Sequence, residues 1–152
     1  HPAAIAHERD ERVKRLSGKI DRVLVDAPCS GLGTLRRNPD LKWRQSPNAV
    51  QELQVKQAAI LASAARLVKP GGRLVYATCS VLPEENERIA EAFAAAHPDF
   101  VALDAGETLA QLKVEGAASL CSGGDTGSLY LRLWPHVHHT DGFFAAVWTR
   151  KP

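Results

Sequence analysis

The sequence predicts an α/β fold whose sheet is mostly parallel, with an antiparallel strand at the end. Three observations predict it. Two short apolar runs, residues 20–25 and 73–78, flank a long stretch with helical spacing of apolar residues. A second helical stretch follows and leads to a third strand candidate at residues 100–103. The last part of the chain is strand-rich. Alternating strands and helices imply parallel strands joined by crossover helices.

Each element follows from local chemistry. Ile20-Asp21-Arg22-Val23-Leu24-Val25 is β-branched and apolar and stops at Asp26-Ala27-Pro28, so it reads as a buried strand. A polar loop rich in Gly, Arg and Asn runs to Ser46. Ser46 is placed to cap a helix, with Pro47 in its first turn. From Val50, the positions Leu53, Ala58, Ile60, Leu61, Ala64, Ala65, Leu67 and Val68 form an amphipathic stripe. Lys69-Pro70-Gly71-Gly72 should end it. Residues 73–78 form the second strand. A second helix starts at Pro83-Glu84-Glu85-Asn86, where acids suit the helix dipole, and stops at His97-Pro98. Residues 104–128 show no clear pattern. Residues 129–134 and 143–148 read as two strands joined by 135–142.

Composition sets bounds. The chain has 152 residues, 45% hydrophobic and 24% charged, with net charge +2. That suits one globular domain and excludes disorder for most of it. No apolar run of about 18 residues exists, so no membrane span is expected. The N-terminus is charged and lacks a signal-peptide core. Three cysteines, an odd and low count, argue against a disulfide scaffold and for a reducing compartment, with a cytoplasmic location expected. Methionine is absent and the chain opens on His1. We therefore expect a piece of a longer protein or a processed one.

In open sheets of this kind the site lies outside the carboxyl ends of the strands. Cys29 follows the first strand and Cys79 the second, and each is followed by a serine. A single free cysteine is usually a small buried hydrophobe. Two at adjacent strand ends point to thiolate chemistry. A redox pair is a further reading, although 50 residues separate the two and no Cys-x-x-Cys exists between them. Cys121 has no such context.

Longer motifs surround both cysteines. Asp26-Ala-Pro-Cys-Ser-Gly-Leu-Gly-Thr-Leu-Arg-Arg-Asn-Pro-Asp-Leu-Lys-Trp-Arg44 resembles motif IV of the RNA cytosine-5 methyltransferases of the bacterial Sun (RsmB) type. Tyr76-Ala-Thr-Cys-Ser-Val-Leu-Pro-Glu-Glu-Asn-Glu87 resembles their motif VI, and Pro135-His136 with Asp141-Gly-Phe-Phe-Ala145 their closing motif. The resemblance covers residues 20–151. It implies a Rossmann-like class I methyltransferase sheet, of which residues 20–152 would be the C-terminal portion of the catalytic domain and residues 1–19 a residual segment before motif IV. It is closest to enzymes that methylate a cytosine in small-subunit ribosomal RNA.

The resemblance also assigns chemistry. C5 of cytosine is a poor nucleophile, and S-adenosylmethionine needs a nucleophile to accept its methyl. Thiolate attack on C6 pushes electron density onto C5, which takes the methyl; a base then removes the C5 proton and the thiol leaves. A carboxyl group near N3 and N4 stabilises charge developing on the ring. Cys79 is implied as the C6 nucleophile, Cys29 as the residue that helps release methylated RNA, and Asp26 as the contact to cofactor, cytosine or both. DNA cytosine-5 methyltransferases use the Pro-Cys cysteine instead, which would make Cys29 the attacker; Cys79 is favoured. Outside this class, a non-catalytic RNA-binding fragment and a thiol redox protein using Cys29 and Cys79 stay open.

An RNA partner, ribosomal by the resemblance, has candidate contacts. Arg36, Arg37, Lys42 and Arg44 against Asp40 give a local charge of +3 over nine residues. Arginines can clamp phosphates. Trp43 among them is expected to pack on the following helix rather than stack on a base. His136 matches the Pro-His of the family and is a candidate RNA contact. His136, His138 and His139 lack the partners a zinc site needs, so no metal is expected. Gly123-Gly124-Asp125-Thr126-Gly127 reads as a flexible loop.

One part is missing. A methyltransferase of this fold sets its cofactor on a Gly-rich loop after its first strand. No room exists for that loop before Ile20, and Glu8 and Asp10 are weak matches to the acid that precedes motif IV. We therefore expect the chain alone to bind S-adenosylmethionine weakly and not to turn over. Residues 22–25 should lie at a sheet edge, which invites a non-native dimer.

Overall fold

The computed structural model describes residues 14–124 and 127–152. Glu8 and Asp10, and the centre of the 123–127 loop, lie outside the described residues. The first strand, β1, is Ile20–Asp26. A one-turn helix α1 (Leu41–Arg44) and a long helix α2 (Pro47–Ala65) lead to β2 (Val68–Thr78). Then come α3 (Glu87–Ala96), β3 (Phe100–Leu103), α4 (Ala105–Gln111), β4 (Cys121–Ser122), β5 (Tyr130–Leu133), the short α5 (Pro135–His138) and β6 (Phe143–Arg150).

The strands form one sheet in the order β1-β2-β6-β5-β4, with β3 also on β6. Strand direction is mostly parallel, as expected: β1, β2, β3 and β5 run one way and β6 and β4 the other. Pairing departs from the expectation. Only β1–β2 is a parallel pair; the rest are antiparallel because β6, late in sequence, is inserted beside β2. A short connection carries the chain from β5 into β6, and short connections require antiparallel neighbours. β6, one of the two strands running the other way, is thus last in the chain but central in the sheet.

Local signals explain most element ends. Ser46 caps α2, its Oγ accepting the Ala49 N–H at 3.2 Å. The helix stops at Ala65, short of the expected Val68. Val68 is wholly buried and already pairs with Ile20 as a strand residue. Residues 69–72 then loop out, since β1 advances two residues while β2 advances from Val68 to Arg73. Gly71 supplies the left-handed turn with φ +73°. In the stretch without a clear pattern, α4 forms behind Asp104, whose Oδ1 accepts the Glu107 N–H at 2.9 Å. The Asp104-Ala105-Gly106-Glu107 spacing is the capping-box signal for it.

Helices α2 and α3 bury Leu61, Ala64, Ile89, Ala90 and Phe93 against Val25, Leu74, Tyr76, Phe144 and Trp148 of the sheet. Each large apolar side chain buried there contributes about 1.5–3 kcal/mol. This core holds the ends of β1 and β2 side by side, with Asp26 opposite Ala77. Strand β1 ends the sheet among the described residues, as expected, and Leu24 on it is 68% exposed. No helix among the described residues is long and apolar enough to cross a membrane.

Candidate active site

The parallel β1–β2 pair delivers the two cysteines to one place. Cys29 Sγ lies 3.4 Å from Cys79 Sγ, both thiols are free, and both are half-buried. One sulfur must donate and the other accept. The Cys29 S–H donating to Cys79 pulls the Cys79 thiol down to about 7, against the opposing effect of burial and of the Asp26 and Glu85 charges. Cys29 is pushed well above the ordinary thiol range, first because Cys79 holds its proton and then because of burial. The contact thus favours the thiolate on Cys79 and the thiol on Cys29.

Three separate sequence blocks meet at this pair. The Gly33 N–H donates to the Cys79 carbonyl at 2.9 Å, and the Gly33 carbonyl accepts from the Gly142 N–H at 2.8 Å. A Cβ on Gly33 would lie 2.3 Å from the Gly142 carbonyl oxygen and 2.6 Å from that of Cys79. Glycine is thus required by close backbone approach. Gln45 Nε2 holds the Ser30 carbonyl at 2.7 Å, and Gln57 Nε2 holds the Pro28 carbonyl at 2.9 Å.

Sequence reasoning missed the centre of this arrangement. Glu85, expected as an acid in the first turn of a helix, is fully buried. Its turn is drawn inward, and α3 begins only at Glu87. Glu85 Oε1 accepts the Ser30 N–H at 2.8 Å and Gln57 Nε2 at 3.0 Å. Glu85 Oε2 accepts the Ser30 and Ser80 hydroxyls, each at 2.5 Å. A repeated pattern signals it: Cys29-Ser30-Gly31-Leu32 and Cys79-Ser80-Val81-Leu82 present the same serine after each cysteine. Arg132 was also missed. It is almost wholly buried on β5, donates to the Val81 carbonyl at 3.1 Å and lies 4.4 Å from the Trp134 ring.

The other expected residues are placed as follows. Asp26 is exposed at the carboxyl end of β1, where a bound molecule could reach it. Arg37 pairs with Asp141, Arg36 donates to the His139 carbonyl at 3.3 Å, and Arg44 pairs with Asp40 at 2.6 Å. The Arg36 and Arg37 bonds dock the arginine loop on the segment before β6, while the Arg44–Asp40 pair stays within that loop. Trp43 corrects its expectation: it does not pack on the following helix but is 80% exposed, with Lys42 Nζ 4.9 Å from its ring. It sits in α1, which has no buried residue to pack it against. His136 is exposed, 6.1 Å ring to ring from Trp134. His138 is engaged by the Trp134 N–H at 2.8 Å and the Ser119 carbonyl at 2.9 Å. Cys121 lies on β4 at the far end of the sheet order, away from the pair.

For S-adenosylmethionine the described residues offer Asp26 but no glycine cradle between a strand and a helix N-terminus. Gly31 caps a 3-10 turn and Gly33 lies within it, and the Gly33 and Thr34 N–H groups already bond to Cys79 and Gly31.

Known proteins resemble this chain in sequence and in fold. The chain is 45% identical over 127 residues to a probable ribosomal RNA small subunit methyltransferase B of Synechocystis, covering 84% of the chain and 26% of the relative. It is 39% identical to the Bacillus subtilis counterpart, covering 88% and 28%. It thus spans about a quarter of the length of these relatives. A methyltransferase homologue from Pyrococcus horikoshii shares its fold with TM-score 0.68 and 28% identity, over 91% of this chain and 42% of that one. NSun6 from the same organism, solved with SFG, matches with TM-score 0.69 and 26% identity over 93% and 33%. The sheet is therefore Rossmann-like, as in those methyltransferases. Residues 3–149 match the family described as 16S rRNA methyltransferase RsmB/F. With that match spanning nearly the whole chain, and both cysteine motifs meeting at one strand-end site, this chain belongs to the RsmB/F family of 16S rRNA methyltransferases.

Proposed function

We propose that this chain supplies the thiol-bearing part of an S-adenosylmethionine-dependent enzyme that methylates cytosine C5 in RNA, with small-subunit ribosomal RNA as substrate. The observation that carries the reading is the 3.4 Å contact between the Cys29 and Cys79 sulfurs at the ends of two parallel strands; a Cys29 S–H donated across it favours the thiolate on Cys79. Cys79 attacks C6: an S–C6 bond forms and the C5–C6 π pair moves onto C5. When bound, S-adenosylmethionine supplies the methyl group. A base then takes the C5 proton, the C5–H pair re-forms the C5–C6 double bond, and the S–C6 pair leaves with Cys79 as thiolate. Cys29, beside the reacting carbons, helps that release, and Asp26 contacts the cofactor or the base. Trapping the adduct tests the reading: Cys29→Ala should hold the RNA, and Cys79→Ala should not. Nothing in the comparisons supports the rival readings, a thiol redox protein or a non-catalytic fragment.

RNA contacts belong to the same proposal. An exposed indole with a cation on its face is a stacking platform for an unpaired base. Arg36, Arg37, Lys42, Arg44 and His136 lie in the adjoining segments. Stacking on an aromatic is worth about 1–3 kcal/mol per base, so Trp43→Ala should weaken RNA binding by roughly five- to a hundredfold. The melting temperature should stay unchanged, because the indole buries little. Filter binding with equal affinity for the variant would remove Trp43 from the interface. A cytoplasmic location goes with a ribosomal substrate, and pairing of a second copy along β1 is part of the same proposal.

Cofactor affinity gives a separate test. The described residues give Asp26 and no glycine cradle, so calorimetry on this chain should find S-adenosylmethionine binding weaker than millimolar or absent. Micromolar binding would show that the site is built from residues other than those expected.

A further inference from the structure

We propose that Glu85 is a positioning residue that ties the Cys29 loop and the Cys79 loop into one unit and so sets the approach of the two sulfurs. The proposal rests on the reading of Cys79 and Cys29 as the working pair. Four donors converge on the Glu85 carboxylate: the Ser30 N–H, the Ser30 and Ser80 hydroxyls, and Gln57 Nε2. Only donors face it, the set that an ionised carboxylate accepts. Each serine sits next to a cysteine, and each hydroxyl also accepts a backbone N–H from its own loop, Leu32 at 3.5 Å and Leu82 at 3.0 Å.

Glu85 is itself held in place. The Tyr76 hydroxyl donates to the Glu85 carbonyl at 2.6 Å. The next residue, Asn86, accepts from the Thr78 hydroxyl at 2.5 Å and donates to the Ser80 carbonyl at 3.0 Å. A buried charge costs several kcal/mol unless well paired, so a side chain that only filled this space would be apolar. Its charge also disfavours the Cys79 thiolate. What the carboxylate contributes to the site is therefore position: with both loops on one anchor, Cys29 stays within hydrogen-bond reach of Cys79.

The test reads the thiols in this chain, without RNA or cofactor, so it succeeds or fails independently of methyl transfer. Cys79 alkylation by iodoacetamide is measured against pH, with peptide mass spectrometry to separate it from Cys29 and Cys121, in wild type, Glu85→Gln and Ser80→Ala. Wild-type reactivity should rise through a midpoint of about 7. Both variants should move that midpoint up toward the ordinary thiol value of about 8.5, slowing alkylation at neutral pH by roughly tenfold. Ser80→Ala keeps the charge and removes one hydroxyl, so it decides the matter if Glu85→Gln does not fold. A midpoint that falls in Glu85→Gln and stays put in Ser80→Ala would mean that only the charge matters. Lower melting temperatures with unmoved midpoints would mean a purely structural role. Either result overturns the proposal.

Discussion

Cys29→Ala should leave RNA covalently attached to Cys79, and Cys79→Ala should attach none. The clean setting is a chimera in which this chain replaces the matching segment of the Synechocystis relative, so that a complete cofactor half is present. The sulfurs are 3.4 Å apart, yet their surroundings give them different roles. In the proposed reading Cys79 carries the thiolate, favoured by a Cys29 S–H donated toward it. Once Cys79 bonds to C6, that negative charge is gone and the hydrogen bond that held the Cys29 proton is weakened. Cys29 can then lose its own proton to solvent and, as thiolate, take the proton from the neighbouring C5, the step that lets the S–C6 bond break. Without Cys29 the adduct forms but lingers, and a denaturing gel should show a shifted RNA-bound band. Without Cys79 methyl transfer should fall by about a thousandfold or more, the order seen when a covalent nucleophile is removed. The opposite pattern, an adduct in Cys79→Ala, would hand the attack to Cys29 as in DNA methyltransferases. Methyl transfer should also rise with pH through about 7 as Cys79 ionises, and flatten above it.

Gly33→Ala should be the most damaging single change away from the sulfurs. Its added Cβ would meet backbone atoms of both Gly142 and Cys79, at 2.3–2.8 Å, and neither can rotate away. The blocks around residues 33, 79 and 142 must separate, and the hydrogen bonds from Gly33 to Cys79 and from Gly142 to Gly33 weaken together. Overpacking plus lost bonds costs about 2–4 kcal/mol, a fall in melting temperature of roughly 5–15 °C. Gly71→Ala is the comparison. Its Cβ meets nothing within 4 Å, and only the left-handed backbone resists it, for about 1–2 kcal/mol. A Gly33→Ala protein that melts with wild type and alkylates at the wild-type rate would show that the three blocks do not depend on this contact.

Much of the architecture was legible because its causes are local. Ser46 and Pro47 announce α2 by capping chemistry, and the β-branched runs announce β1 and β2. The cysteine motifs could be placed at strand ends because Asp26-Ala27-Pro28 and Thr78-Cys79-Ser80 follow those runs directly. Other features escaped for the same reason in reverse. Glu85 has the composition of a helix first turn, and only the serines brought from 55 and 5 residues away make it a buried hub. Trp43 looks like a core residue by type, but one-turn α1 lies too far from the core to bury it. The Cys-Ser-x-Leu repeat was readable in the chain, while its meaning required the carboxylate between the copies.

By itself the sequence determined the inventory: which residues can act as nucleophile, acid and cation, which strands and helices form, and which family the motifs resemble. These follow from short-range propensity and from residue chemistry, which need no partner distant in the chain. The tertiary structure alone decided the pairings. It inserted β6 beside β2, buried Glu85, exposed Trp43 and brought two sulfurs 50 residues apart to hydrogen-bond distance. Acidity at Cys79 depends on that distance, because a hydrogen bond lowers a thiol only when the donor is within reach. Local pattern carries no information about such a contact until packing has brought the two strand ends together.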